Sequence, residues 1–360
     1  MQKKIIALAI ASALTVPAMA FADTTIYGIL DAGYAQTKND NGAGKTRETD
    51  AFGFSTMTSS RLGFMQTEDL GNGSKVMAKI ETGLSGNVMA NYTQGSGFDG
   101  TTVDATSLGN RELNASVMFN QGTTVKLGFG STLIRDISLG YAPDPGGNLV
   151  GNILNNNKDY SSNRAVGVTA TQAMDKFSVS VQLTSKTTKS NVGPDVKSGN
   201  GYLIGGQYAD GPISFAAAYQ NQETTTNTGA VMNSDGKHKI GIIAGSYDLG
   251  AAKIIAEYGT DKTDDTLLAS NNGKKANGLS IGAQAPFGDI VGFVQLSKGK
   301  VNAGGAAVDQ DQSGYTLGGK YNLSKASYGY VSFGDNKIAS AGALAQYKVD
   351  QFAIGMVHTF

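Results

Sequence analysis

The sequence predicts an all-β fold: a transmembrane up-and-down antiparallel β-barrel of about sixteen strands. Three observations predict it. Segments with a two-residue alternation of bulky apolar and small or polar side chains recur from one end to the other. Short and long connections alternate between them, the rhythm of barrels with tight turns at one rim and long loops at the other. An export leader precedes them, and no later apolar run approaches the ~18 residues of a spanning helix.

The leader is MQKKIIALAIASALTVPAMAFA. Lys3 and Lys4 form its charged start, Ile5 to Val16 its apolar stretch, and two A-x-A matches end it, the layout of a signal peptide. Cleavage is expected after Ala22, with Ala20 as the rival site, which divides the chain into a leader at 1–22 and a barrel domain at 23–360.

The first strand is TTIYGILDAGY (24–34), followed by SSRLGFMQTED (59–69), KVMAKIETG (75–83), RELNASVMFN (111–120) and TVKLGFG (124–130). Next come NRAVGVTATQ (163–172), KFSVSVQLTSK (176–186), GYLIGGQYA (201–209), ISFAAAYQN (213–221) and HKIGIIAGSY (238–247). The set closes with AKIIAEYGT (252–260), NGLSIGAQAPF (277–287), IVGFVQLSK (290–298), GYTLGGKYNLS (314–324), SYGYVSFG (327–334) and QFAIGMVHTF (351–360). Each is near the ~9–11 residues that a tilted strand needs to cross a bilayer. Short turns such as LGNGS and DGP alternate with long polar stretches at 35–58, 84–110, 131–162, 187–200 and 222–237. Pro143, Pro145 and Pro194 fall in long loops, and Pro212 and Pro286 at strand edges, where a missing N–H is tolerated.

Composition narrows the function. Without Lys3 and Lys4 the chain has 27 basic and 29 acidic residues, a balance that argues against a nucleic-acid partner. The absence of cysteine removes disulfides and thiolate metal sites. His238 and His358 lack a Ser or acid arranged for a triad, so both read as ordinary strand and loop residues, and neither catalysis, a cofactor nor a metal is expected.

An even strand count returns the chain to the rim where it began. The terminal FAIGMVHTF then closes the ring against the first strand, with Phe360 as the barrel-closing residue in an aromatic girdle. Tyr208, Tyr219, Tyr247, Tyr258, Phe287 and Tyr321 also lie near strand ends. A soluble exported β-sandwich alternates in the same way and stays open as a rival on periodicity alone.

At SRLGFMQTEDLGNGSK (60–75) the sequence resembles the general porins of Gram-negative outer membranes, of the neisserial and comamonad type. The resemblance continues in TTIYGILDAGY, NRELNASV (110–117), YNLSKASYGYVSFG (321–334) and the terminal GMVHTF. It implies a homotrimer of sixteen-stranded barrels in the bacterial outer membrane, each narrowed by a third external loop folded inward. Passive diffusion of ions and small hydrophilic solutes would be its function. Outer-membrane lipid, lipopolysaccharide and, through the C-terminal strand, the barrel assembly machinery would be its further partners. The alternative is a substrate-specific outer-membrane channel or a barrel adhesin. Two departures are visible: the family usually carries a Lys near Met65, and an Arg where this chain has Phe129.

The arginines mark the candidate site. There are five, Arg47, Arg61, Arg111, Arg135 and Arg164. Arg61, Arg111 and Arg164 open the second, fourth and sixth strands, which all descend from the external side, and Arg135 lies in the third external loop. These four are expected to converge on a constriction; the competing reading leaves them as solvated or phosphate-binding groups at strand tops. Arg61 and Arg111 match arginines that the resembled family places in its pore. A guanidinium is always charged and weakly hydrated, which suits passage of anions without capture. Parity points Arg61, Lys79, Glu81 and Lys126 inward, whereas Arg111 shares parity with Leu113 and Val117 and would face lipid unless a bulge intervenes. Asp136, Asp144 and Asp159 are expected to give the third loop an acidic side and a transverse field. A weak anion preference follows.

Overall fold

The computed structural model describes residues 22–40, 46–84, 108–144, 146–147, 149–154, 160, 163–185, 187–188, 196–228, 231–265, 273–302, 309–340 and 346–360. Its strands, in chain order, are β1 (Ala22–Asp40), β2 (Thr46–Phe54), β3 (Arg61–Asp69), β4 (Lys75–Gly83), β5 (Glu112–Met118) and β6 (Thr123–Ser131). The helix α1 (Leu133–Gly140) follows, then β7 (Arg164–Met174), β8 (Phe177–Thr184), β9 (Thr187–Thr188), β10 (Val196–Asp210), β11 (Ile213–Thr228) and β12 (Val231–Asp248). The last six are β13 (Lys253–Asp265), β14 (Lys274–Phe287), β15 (Ile290–Asn302), β16 (Gln310–Asn322), β17 (Ser327–Ser340) and β18 (Gln346–Thr359).

All eighteen strands join one antiparallel sheet whose ends meet, because β1 pairs with β18 on one side and with β2 and β3 on the other. The pairs β2/β3 and β8/β9 are successive pieces of single staves, so the closed barrel has sixteen. Closure removes every sheet edge, which is what a spanning sheet requires where no water can satisfy free N–H and C=O groups. The chain end seals the seam: Gly28 N donates to Phe360 O at 2.9 Å and Phe360 N to Gly28 O at 3.1 Å.

The wall is apolar outside and polar inside, the inverse of a soluble sandwich. Leu127, Leu183, Leu296 and Phe333 point outward and are more than half exposed, while Glu81, Glu112, Gln220 and Gln295 of the opposite parity are buried within. A continuous exposed apolar belt of this kind is unstable in water and is stable in lipid. Aromatic side chains border it beside the short turns, where the Phe177 and Tyr208 rings meet at a tilt with centroids 4.7 Å apart and Phe287, Tyr321 and Phe360 stay exposed. Those turns need unusual backbone: in the 70–74 turn Gly71 and Gly73 sit at φ +82° and +79°, a region open to glycine without strain.

The strands run further than periodicity indicates. β1 continues to Asp40 and hairpins with β2, and β11 and β12 extend through most of 222–237. Above the membrane both faces of a strand meet water. Both parities are then polar, and the alternation that reveals a strand disappears although its backbone pairing persists.

The described residues between α1 and Tyr160 pack on the inner face of the barrel. Ile134 and Ile137 of α1, with Leu154 and Tyr160, pack on the inward residues Leu203, Ala216, Ala218, Ile240, Ile242 and Ala244. Further along, Leu149 joins Met57, Phe293 and Tyr330 on the far wall. Gln284 Nε2 donates to Pro143 O at 2.7 Å, Gly151 N to Thr316 Oγ1 at 3.2 Å and Asn152 Nδ2 to Glu257 Oε1 at 3.0 Å. Apolar side chains at inward positions therefore form the seat for this segment.

Candidate pore constriction

Parity along β3 and β4 settles three side chains. Phe64 and Ile80 face outward, so Arg61, Lys79 and Glu81 face the lumen. Glu81 is the hub: its Oε1 accepts from Arg111 Nε at 2.7 Å and its Oε2 from Tyr27 OH at 2.8 Å. Arg61 Nε and Lys79 Nζ lie 4.0 and 3.9 Å from the same carboxylate. Lys79 Nζ also sits 5.7 Å from the centre of the Tyr27 ring.

Arg111 turns inward through the local pairing. Glu112 is the register partner of Glu81, yet Arg111 also donates its backbone N–H to Glu81 O at 3.1 Å. Arg111 stands in the bend just before β5, outside the strand's alternation, and its side chain reaches the lumenal Glu81. Asn110 Oδ1 holds the adjacent edge by accepting from Gly83 N at 2.8 Å.

Glu112 is the lumenal acid that sequence reasoning missed. Its Oε1 accepts from Ser131 N and Oγ at 3.0 and 2.9 Å, and its Oε2 from Asn114 Nδ2 at 2.8 Å. The signal was available, since Glu112 shares the polar parity of Asn114 and Ser116. These bonds fix the exit from β6 into α1. There Thr132 caps the helix by accepting from Arg135 N, and Arg135 Nη1 donates to Ser131 Oγ at 3.1 Å. Lys126 Nζ reaches Ser131 O at 3.4 Å from the β6 side.

A cavity of about 390 Å³ is bounded by Arg61, Lys79, Glu81, Arg111, Glu112, Lys126, Arg135 and Asp136, together with Met77, Asn114, Ser131 and Leu139. Five of its ionisable groups are basic and three acidic, so its lining is net positive although the chain is not. Arg164, register partner of Ser131, flanks the group within electrostatic reach of Arg135 and Arg111 but does not line the cavity. Its Nε and that of Arg135 are buried without a hydrogen-bond partner.

Asp144 does not join this group. It is 2 % exposed within the loop, where its Oδ2 accepts from Gly147 N at 2.7 Å, and burial pushes its carboxyl up to about 6. Asp159 lies outside the described residues. The acids that border the cavity with Asp136 are Glu81 and Glu112, interleaved with the bases on one wall rather than across the gap from them. Phe129 shares parity with outward Leu127 and pairs with Leu113 and Val166, so this departure from the resembled pattern changes the outer face. Among the described residues no group of three or more His, Cys, Asp or Glu is placed to hold a metal.

The sequence profile of Gram-negative porins matches residues 7–339. Outer membrane porin protein 32 of Delftia acidovorans is 29 % identical over 358 residues, spanning 94 % of this chain and 91 % of the relative. An anion-selective porin from Comamonas acidovorans superposes with a TM-score of 0.69 at 23 % identity, covering 94 % of this chain and all of that one. A trimer form of the outer membrane protein OmpT of Vibrio cholerae matches with a TM-score of 0.61 at 16 % identity, covering 94 % and 99 %.

Proposed function

From the premise that this chain belongs to the Gram-negative porin family, we propose that it forms a water-filled outer-membrane channel for ions and small hydrophilic solutes, with a weak anion preference. The observation that carries the preference is the net positive lining of the lumenal cavity, five basic groups against three acidic. Selectivity depends on charges within about one Debye length of the path, ~8 Å at physiological salt, and not on the charge of the whole protein. Glu81 holds Arg111, Arg61 and Lys79 in place, and Glu81 and Glu112 together temper the positive field, which suits passage without tight binding. The relative described as anion-selective supports the same reading.

The channel acts without catalysis. It is exported by the leader at 1–22, cut after Ala22, and the barrel occupies 23–360. The constriction comprises Arg61, Lys79, Glu81, Arg111, Glu112, Lys126, Arg135 and Asp136, with Arg164 adding to its field. The working assembly is a homotrimer, a reading supported by the trimeric relative. Its surroundings are outer-membrane lipid and lipopolysaccharide, and the C-terminal strand ending in Phe360 addresses the assembly machinery.

Reversal potentials in a KCl gradient across a planar bilayer test this. The native channel is expected to prefer chloride modestly, and Arg61→Ser to shift the reversal potential toward the cation side. Cation selectivity of the native channel, or no shift in the variant, would overturn the arginine constriction. Closure in three equal conductance steps is the expected signature of the trimer.

A further inference from the structure

The segment between α1 and Tyr160 covers a second polar site, on the staves β13–β16 rather than on the wall of the constriction. Glu257 of β13 is the register partner of Ser280 of β14, which in turn partners Ser297 of β15. Gln295, two residues before Ser297, partners Thr316 of β16. All five side chains are buried. The loop crosses this row, with Gly151 held on Thr316 and Asn152 on Glu257. Ile153 closes the space on the side of the long connections, where a side chain at Gly278 or Gly299 would meet it at 3.2 or 2.7 Å. Pro143 closes it on the side of the short turns, where a side chain at Gly282 would meet Pro143 Cβ at 2.5 Å. Asp144 therefore enters the same enclosed space, and its charge acts on Glu257.

Three oxygens here have no hydrogen-bond donor: Glu257 Oε2, Asp144 Oδ1 and Gln295 Oε1. Their residues are 1 %, 2 % and 0 % exposed. The neighbouring donors are engaged elsewhere. Asn152 Nδ2 serves Glu257 Oε1, and Gln295 Nε2 donates to Ser280 Oγ at 2.6 Å, which ties that amide to the register partner of Glu257. Among the described residues no Lys or Arg forms an ion pair with either carboxylate. Buried carboxylates of like sign with unmet oxygens are costly. Water donates to such oxygens but leaves the two charges side by side. A divalent cation meets the oxygens and cancels both charges.

We propose that Asp144, Glu257 and Gln295 bind one calcium ion, which clamps the third loop to the barrel wall. Every available donor is an oxygen, which selects a hard cation. An irregular set of carboxylate and amide oxygens suits Ca²⁺, which accepts about six to eight ligands, better than octahedral Mg²⁺. The site has two acids, fewer than the three of an acidic metal cluster, and the neutral amide oxygen of Gln295 adds to them. One ligand comes from the loop and two from the wall, so the ion joins parts of the chain that the staves alone do not hold together. In metal-free buffer a proton on Asp144 is what remains to quiet the pair. The inference goes beyond the channel reading and does not depend on the selectivity of the pore.

Equilibrium dialysis of radioactive calcium tests this near neutral pH, using the mature protein refolded in detergent without lipopolysaccharide and stripped with chelator. The native barrel is expected to take up about one Ca²⁺, undiminished by a roughly tenfold excess of Mg²⁺. Ca²⁺ at about ten times its dissociation constant should slow proteolysis of the third loop about tenfold. Glu257→Gln, which keeps an acceptor for Asn152, should lose both the ion and the protection. Glu81→Gln, in the constriction, should retain both. No uptake by the native protein, displacement by Mg²⁺, or full uptake by Glu257→Gln would overturn the site. So would uptake that leaves the loop unprotected, because the ion would then lie elsewhere on the barrel. If Glu257→Gln does not fold, Asp144→Asn in the loop decides by the same two measurements. Uptake is scored without reference to conductance, so failure of the channel reading is distinguishable from failure of the ion site.

Discussion

Arg111 Nε donates to Glu81 Oε1 at 2.7 Å, and through this bond a residue at the mouth of β5 is tied to the floor of the constriction. Arg61 Nε, 4.0 Å from the same oxygen, and Lys79 Nζ, 3.9 Å from its neighbour, share the carboxylate. The arrangement is a charge cluster with one anion at its centre, so Glu81 offsets part of the positive field that it also organises.

Glu81→Gln should therefore strengthen the anion preference. Gln keeps one acceptor oxygen for Arg111 and turns an amide N–H toward Tyr27, whose hydroxyl can accept it, while removing the charge, and the chloride-to-potassium permeability ratio should rise about two- to threefold in ~0.1 M salt. In ~1 M KCl, where the Debye length contracts to ~3 Å, the difference should shrink. Reversal potentials at both concentrations check this, and a fall in the ratio would contradict it.

The third loop should detach before the barrel opens. Ile137 is fully buried against Ile134, Ile240 and Ile242, and loss of its side chain costs roughly 2–5 kcal/mol at such a site. The sixteen staves do not depend on that contact, since their ladders close without α1. Ile137→Ser is expected to give a folded barrel with larger and noisier single-channel conductance. A native conductance, or failure to form the barrel at all, would contradict this.

Asp144 should make the seating of that loop sensitive to pH. Its folded value, pushed up to about 6 by burial, exceeds the ordinary 3.8, so the folded loop binds the proton more tightly than the released one. Docking is then firmest below about pH 4 and weakens as pH rises through about 6, with a total cost on the order of 3 kcal/mol. Asp144→Asn should remove this slope. Rates of loop proteolysis between pH 4 and 8, compared for the two proteins, provide the measurement.

Deleting Phe360 should slow closure. Gly28 would lose both partners at the seam, N–H and C=O, and unpaired backbone groups are costly at the margin of lipid. A lower yield of heat-modifiable, folded barrel after refolding is expected, with normal conductance in the fraction that inserts. An unchanged yield would show that the seam is held by the remaining pairs of β1 and β18.

Much of the barrel was legible in the chain because a wall between lipid and water writes its two faces onto alternate residues. Phe177, Val179, Val181 and Leu183 against Ser178, Ser180, Gln182 and Thr184 needed no tertiary information. The inward orientation of Arg61, Lys79, Glu81 and Lys126 followed from the same rule. The rule failed where a residue's environment is made by a distant segment. Ile240 and Ile242 sit inside a polar lumen because the third loop covers them. Arg111 reaches inward because it stands in the bend before β5, where strand alternation no longer applies. Asp144 is withdrawn from the cavity because the loop closes over it. Sequence alone determined the period and the order of the staves, both local properties of the backbone. The tertiary structure decided which charges meet, since ring closure and the path of one loop bring together residues with no regular spacing along the chain.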